Sequence, residues 1–364
     1  MEKPPRCLIL FEESCRTKAT LETYRRLLAI FLKWANKDHE SLLLLPDDRL
    51  QVLLEDYMIY CKKRFKKAGI ITRFSAIEKF LFVNDKTVNK RKLMMFLPEA
   101  EARKQRAITD KECQDLLSHA STVRTKAIIH LFCATGSRPE ALVNVRMMDI
   151  GQMPDDCQSL VFYADTPNEL ITFIHSEASQ AVNEYLNERK DSGELLKTES
   201  YLIRPTVFIV NEKKPAPVDF HVLESVIRNA MQRAKIKRKK VDEHRYDLPL
   251  CGGFRKRFNS ILKLNPNISY PIAEMFMDHK MRMEPHYLTP TKEQLFEEYK
   301  KAIPVLMLDE SAKLKEELRL DKEEIESSKD KVSKELRSNR KEIADMKERF
   351  SSLEEIIKRL SEKD

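Results

Sequence analysis

The chain is poor in glycine. Six glycines in 364 residues are too few for an all-β or dinucleotide-binding fold of this size, because such folds place glycine in tight turns and phosphate loops. No G-x-x-x-x-G-K-S/T or G-x-G-x-x-G stretch occurs, which argues against a nucleotide-driven motor. Cysteine is scattered rather than patterned. Cys7, Cys15, Cys61, Cys113, Cys133, Cys157 and Cys251 form an odd set with no CxxC pair, so neither a disulfide framework nor a structural zinc site is expected. No apolar run approaches the ~20 residues of a spanning helix. Glu2, Lys3, Pro4 and Pro5 ahead of a short apolar patch do not read as a signal peptide. The expectation is a cytoplasmic protein with no membrane contact, no cofactor and no metal.

What is abundant is charge. Charged residues make up 34% of the chain and the formal net charge is +8, compatible with a polyanionic partner. Residues 17–97 read as a helical unit: Tyr24, Leu27, Leu28, Phe31, Leu32 and Trp34 recur at helical spacing. A second helix is predicted over 46–66 and shorter ones over 73–83 and 87–97. Residues 1–16 form an N-terminal segment. Residues 98–107 are polar and read as a linker. Thr109 with Glu112 three residues on is a capping box that opens a new helix. The apolar stretches 159–163 and 170–174, separated by Asp165-Thr166-Pro167-Asn168, predict a β-hairpin. Helix returns over 176–189 and 218–235.

The last sixty residues change character. Residues 305–364 hold 15 basic and 17 acidic residues with no glycine or proline. Leu336, Ile343, Phe350 and Ile357 are seven apart, as are Leu318, Ile325, Val332, Asn339, Met346, Leu353 and Leu360. The two series interleave at three and four, which predicts a coiled-coil tail over 309–364 with Asn339 as its polar core position. The excess positive charge lies in residues 1–304, with 51 basic and 41 acidic residues.

Four segments carry candidate chemistry: 134–142 around Thr135-Gly136-Ser137-Arg138, 250–258 around Arg255, 272–280 ending in Asp278-His279-Lys280, and 285–290 around Tyr287. Singly, each of these residues has an ordinary structural role. In this order and spacing they resemble the tyrosine recombinase (phage integrase) family, especially archaeal and archaeal-virus members. The resemblance covers about 15–305. It implies a mainly α fold with a small β-hairpin or sheet: a helical core-binding domain over 17–97 and a mixed α/β catalytic domain over 108–305. It implies Arg138, Arg255 and His279 as catalytic residues and Tyr287 as nucleophile, with Tyr299 or Tyr270 next in line. Two guanidiniums suit a phosphodiester because they clamp its oxygens bidentately and stay charged. A tyrosine hydroxyl can attack phosphorus and leave a 3′-phosphotyrosyl link. Histidine can handle protons near neutral pH.

The implied function is site-specific recombination of double-stranded DNA by a nucleoid-associated protein, self-associating on DNA and through its tail. The alternatives are a cleavage-impaired homologue acting as an architectural or regulatory DNA-binding protein, or a type IB topoisomerase-like nicking enzyme. The sequence departs from the family at three places. Gly252 stands where the family has histidine, Ala141 stands where it has an acidic residue, and the hairpin lacks lysine. Lys213, Lys214 or the run 237–240 could replace that lysine, whereas His244 is poorly spaced to replace the histidine. Arg233, Lys235, Lys237, Arg238, Lys239, Lys240, Arg245, Lys256 and Arg257 are expected to contact the DNA backbone.

Overall fold

Side-chain caps set where many of these helices start. Thr17, Thr109, Thr122 and Thr291 each accept the backbone N–H three residues on, satisfying a donor that the first helical turn cannot pair. At Thr109 the Glu112 carboxylate returns a bond to the Thr109 N–H, closing the predicted capping box. The computed structural model describes residues 4–99, 105–205, 217–242, 245–279 and 288–361.

The chain divides into two compact units, residues 1–103 and 104–364. The first is helical: α1 (Arg6–Glu13), α2 (Lys18–Ala35), α3 (His39–Leu43), α4 (Asp47–Lys62), α5 (Lys67–Phe82) and α6 (Lys90–Met94). Its core is built on aromatic contacts, with Phe31 and Tyr57 rings 4.8 Å apart and Phe11 edge-on to Phe80. Two details differ from expectation. The short apolar patch near the N-terminus is a helix, and its Phe11 is fully buried in this core. The helix expected over 73–83 begins at Lys67, so the basic run 62–67 straddles the end of α4 and the start of α5.

The second unit runs α7 (Asp110–Ser118), α8 (Val123–Thr135), α9 (Pro139–Val143), a 3-10 turn (Met147–Asp149), β1 (Ile150–Gln152), β2 (Gln158–Phe162), β3 (Leu170–Ile174) and α10 (Ser176–Asp191). It continues with α11 (Phe220–Arg233), α12 (Leu250–Leu264), α13 (Tyr270–Phe276), α14 (Lys292–Lys300), α15 (Ile303–Leu306) and α16 (Glu310–Ser361). The strands form an antiparallel sheet in the order β1-β2-β3. The predicted hairpin is its β2–β3 half, from Gln158 opposite Ile174 to Phe162 opposite Leu170. Helix α8 is buried from Ala127 to Thr135, and α7, α10, α11 and α12 pack around it. A helix apolar on all sides belongs in the middle of a domain. Phe132 of α8 stacks on Phe254 of α12 with centroids 5.7 Å apart. That contact locks α12, which carries Arg255, against α8, whose C-terminal turn leads to Arg138. Replacing either ring by alanine would cost about 3–5 kcal/mol.

The start of α16 is anchored. Glu177 accepts the N–H groups of Leu308 and Asp309 at 2.9 and 3.2 Å, and Arg319 pairs with Asp155 at 3.1 Å. Beyond this, from Asp321 to Lys347, every described side chain is exposed.

Candidate active site

Gly136 makes the first part of the site possible. It ends α8 with φ +55°, and a Cβ there would lie 2.6 Å from the Cβ of Phe258 on α12. Only glycine permits both the left-handed turn and that approach. The turn delivers Arg138, in extended conformation, to the N-cap of α9, where Pro139 fixes the first helical residue. Arg255 arrives from the first turns of α12. Its Nη1 donates to the Gly136 carbonyl at 3.0 Å, and its Nη2 donates to the carbonyl of Met277, the C-cap of α13.

The third contribution comes from the end of α13. Asp278 follows with φ +50°, a backbone region that aspartate tolerates better than most residues. Its carboxylate pairs with the Arg138 guanidinium. His279 then turns back, and its Nδ1 lies 2.6 Å from Glu274 Oε2. Glu274 is buried and also pairs with Lys263 of α12. Burial pushes the Glu274 carboxyl up, but the hydrogen bonds from Lys263 and His279 outweigh it and hold the group below the usual carboxylate range. The carboxylate thereby fixes the orientation of the His279 ring.

Arg138 and Arg255 are brought together. Arg255 is shifted downward by its burial and by the positive charge of Arg138, and the negative charge of Asp278 opposes that shift. Tyr163, just past β2 in the hairpin turn, lies near enough to Arg138 to feel its charge. Burial raises its hydroxyl pKa and Arg138 opposes the rise. The site is a half-buried dicationic cluster, held on one side by a carboxylate, with a histidine following that carboxylate in sequence. Such a cluster binds an anion and stabilises growing negative charge.

Tyr287 lies outside the described residues, as do Lys213, Lys214 and His244. Tyr299 is excluded as a nucleophile. It is fully buried, its hydroxyl donates to the Ala134 carbonyl at 2.9 Å, and burial lifts its pKa well above the ordinary value. Tyr270 is exposed, with Lys263 Nζ 5.3 Å from its ring centroid. Gly252 is exposed one helical turn before Arg255, and a Cβ there would sit 3.1 Å from that of Pro249.

The expected basic surface needs correction at Arg257. Its side chain is 4% exposed, its Nε meets Asp110 at 2.6 Å, and its Nη2 donates to the carbonyls of Val305 and Leu306. Consecutive helix residues are 100° apart, so Arg255 and Arg257 leave α12 in nearly opposite directions. One serves the pocket and the other ties α12 to α7 and α15. Arg238 is likewise withdrawn, donating to the Leu248 carbonyl at 2.8 Å and stacking 4.2 Å over the Tyr246 ring. Arg233, Lys235, Lys237, Lys239, Lys240 and Arg245 are exposed, and Lys256 is half-buried.

The sequence pattern missed Asp278, Glu274, Lys263 and Tyr163. The pair Glu274 and His279 had a readable signal in its five-residue spacing across a helix end. Lys263 and Tyr163 had none, since only tertiary packing brings them in.

No protein family matches the sequence, and no curated protein matches it. Solved structures do. The XerH site-specific recombinase bound to palindromic difH substrate is similar, with a TM-score of 0.53 at 13% identity over 77% of this chain and 78% of that one. A lambda integrase dimer bound to a COC′ core site gives 0.51 at 14% identity, over 78% and 95%. The Tn1549 transposon integrase in complex with transposon right end DNA gives 0.53 at 11% identity, over 82% and 99%. At these identities the likeness is one of fold: the chain has the fold of the site-specific recombinases and integrases.

Proposed function

We propose that the chain is a tyrosine-type site-specific DNA recombinase, of the archaeal or archaeal-virus kind. It cuts and rejoins double-stranded DNA through a 3′-phosphotyrosyl intermediate. The observation that carries this reading is the convergence of Arg138 and Arg255 on the end of α13, where Asp278 holds one and the Met277 carbonyl the other, beside His279. A phosphodiester entering there meets two permanent cations placed where charge grows as a fifth oxygen approaches phosphorus. Tyr287 is the nucleophile in this reading, eight residues after His279 in sequence. His279, oriented by Glu274, hydrogen-bonds the phosphate or relays a proton.

The helical unit of residues 17–97 acts as a core-binding domain, and the exposed basic residues of 233–245 supply salt-dependent backbone contacts. The tail holds protomers together before synapsis. The test is a nicked suicide duplex built from DNA flanking the encoding gene. The wild-type chain forms a covalent protein–DNA adduct, and Tyr287→Phe binds the DNA without forming one. A wild-type chain that binds but never forms an adduct would leave only a DNA-binding role.

A further inference from the structure

The described part of α16 carries an apolar stripe that no other described residue covers. Ile325, Val332, Leu336, Ile343 and Met346 are all about half exposed or more, from 49% at Ile343 to 60% at Val332. Long helices gain little from propensity alone, so such a stripe calls for a partner. The charges beside it say which one.

In heptad terms Leu336 and Ile343 are a positions and Val332, Asn339 and Met346 are d positions. The flanking g positions are then Glu335 and Glu342, and the flanking e positions are Arg340 and Lys347. In a parallel in-register pair, each g residue faces the e residue five further on in the other chain. Glu335 then meets Arg340 and Glu342 meets Lys347, twice over by symmetry. Arg349 and Glu354 stand at the next such pair in the sequence. An antiparallel pair sets g against g and e against e, which would oppose glutamate to glutamate and arginine to lysine. It would also set Asn339 opposite an a residue, none of which is an amide, because antiparallel layers match a with d. A buried amide needs a hydrogen-bonding partner, and parallel alignment in register supplies the second Asn339.

We infer that α16 is the docking surface for a second copy of this chain and forms a parallel, in-register two-stranded coiled coil from about Val332 onward. Upstream, Lys322 and Lys329 occupy a positions, so like charges would face each other and the zipper does not extend to the anchored start of the helix. Arg319 and Val332 are 13 residues apart, about 20 Å of helix at 1.5 Å per residue. Each catalytic unit therefore hangs from the same end of the zipper on its own helical spacer. That arrangement presents two units side by side, as two half-sites on one duplex require. The inference rests on the proposed self-association of the tail and is independent of strand cleavage.

The full chain tests it without DNA. All seven cysteines are free, and six are buried, so Cys15→Ser removes the accessible background. In that chain Asn339→Cys, treated with oxidised glutathione, forms a disulfide-linked dimer. Sedimentation equilibrium of the unmodified chain gives twice the 42.7 kDa chain mass. Glu335→Lys with Glu342→Lys turns four attractive pairs repulsive and raises the dimer dissociation constant on the order of 10- to 100-fold. A monomer at every concentration or a trimer overturns the two-stranded pairing. A dimer without the 339 cross-link overturns the parallel register, and an unchanged dissociation constant in the charge-reversed chain overturns the pairing scheme. In each of these cases the adduct assay still decides the catalytic reading separately.

Discussion

Asp278 is the residue whose removal says most about the pocket. Its carboxylate pairs with the Arg138 guanidinium, the cation that a phosphate would need. Asp278→Asn keeps a side chain that accepts φ +50° and removes one negative charge. A phosphate on Arg138 would sit roughly 5 Å from that charge, where unit charges interact by about 1–3 kcal/mol at effective dielectric constants of 80 to 20. The pair is partly wet, with Arg138 42% and Asp278 28% exposed, which favours the low end, about 1–2 kcal/mol. DNA should therefore bind about 5- to 30-fold more tightly to Asp278→Asn. Stability should move the other way. The lost pair costs about 0.2–1 kcal/mol, and Arg138 and Arg255 are left repelling each other. Fluorescence anisotropy with a labelled duplex, in a Tyr287→Phe background to prevent cleavage, reads the first effect, and thermal melting reads the second. Equal or weaker DNA binding by Asp278→Asn would refute the idea that this carboxylate competes with the phosphate.

Other outcomes follow from the same geometry. Arg138→Ala or Arg255→Ala should each slow adduct formation by about 2–4 kcal/mol of transition-state stabilisation, with near-native melting for Arg138→Ala; equal rates in single-turnover assays would remove the clamp. Arg257→Met should destabilise the fold by about 2–4 kcal/mol, because it strips the partner from two carbonyls and Asp110. It should leave the salt dependence of DNA binding unchanged, whereas Lys239→Ala should lower the slope of log affinity against log salt by about 1. His130 and His175 are buried, and burial lowers their pKa values to about 4 and about 3. Folded values below the unfolded ~6.5 mean that the unfolded chain takes up more protons below that pH. Stability is thus present above pH 6.5 and lost as pH falls, by about 2 kcal/mol per histidine at pH 5. Glu177, raised by burial and 4.0 Å from His130, offsets part of this. Denaturant titrations from pH 7 to 5 that show no loss of stability would place these histidines in contact with water.

Much of this protein is local enough to be written in its sequence. Thr109 and Glu112 start α7 wherever the chain goes, because a capping box needs only four residues. The apolar stretches 159–163 and 170–174 with turn residues between them specify a hairpin, and the seven-residue spacing in α16 specifies its stripe. Scarce glycine fits a helical fold, and Gly136, one of the six, sits where backbone conformation and crowding both demand it. The spacing of Arg138, Arg255 and His279 was legible as a constellation. What the sequence could not supply was direction. Arg255, Lys256 and Arg257 read as one basic cluster, yet a helix turns 100° per residue. Only the packing of α12 against α8 decides that Arg255 faces the pocket while Arg257 is buried against Asp110. Tertiary packing likewise closes Asp278 onto Arg138 and Glu274 onto Lys263. Partners 140 positions apart, as Asp278 and Arg138 are, leave no periodicity to read. Helix caps and stripes are set by neighbours along the chain, whereas the charge balance of the pocket is set by neighbours in space.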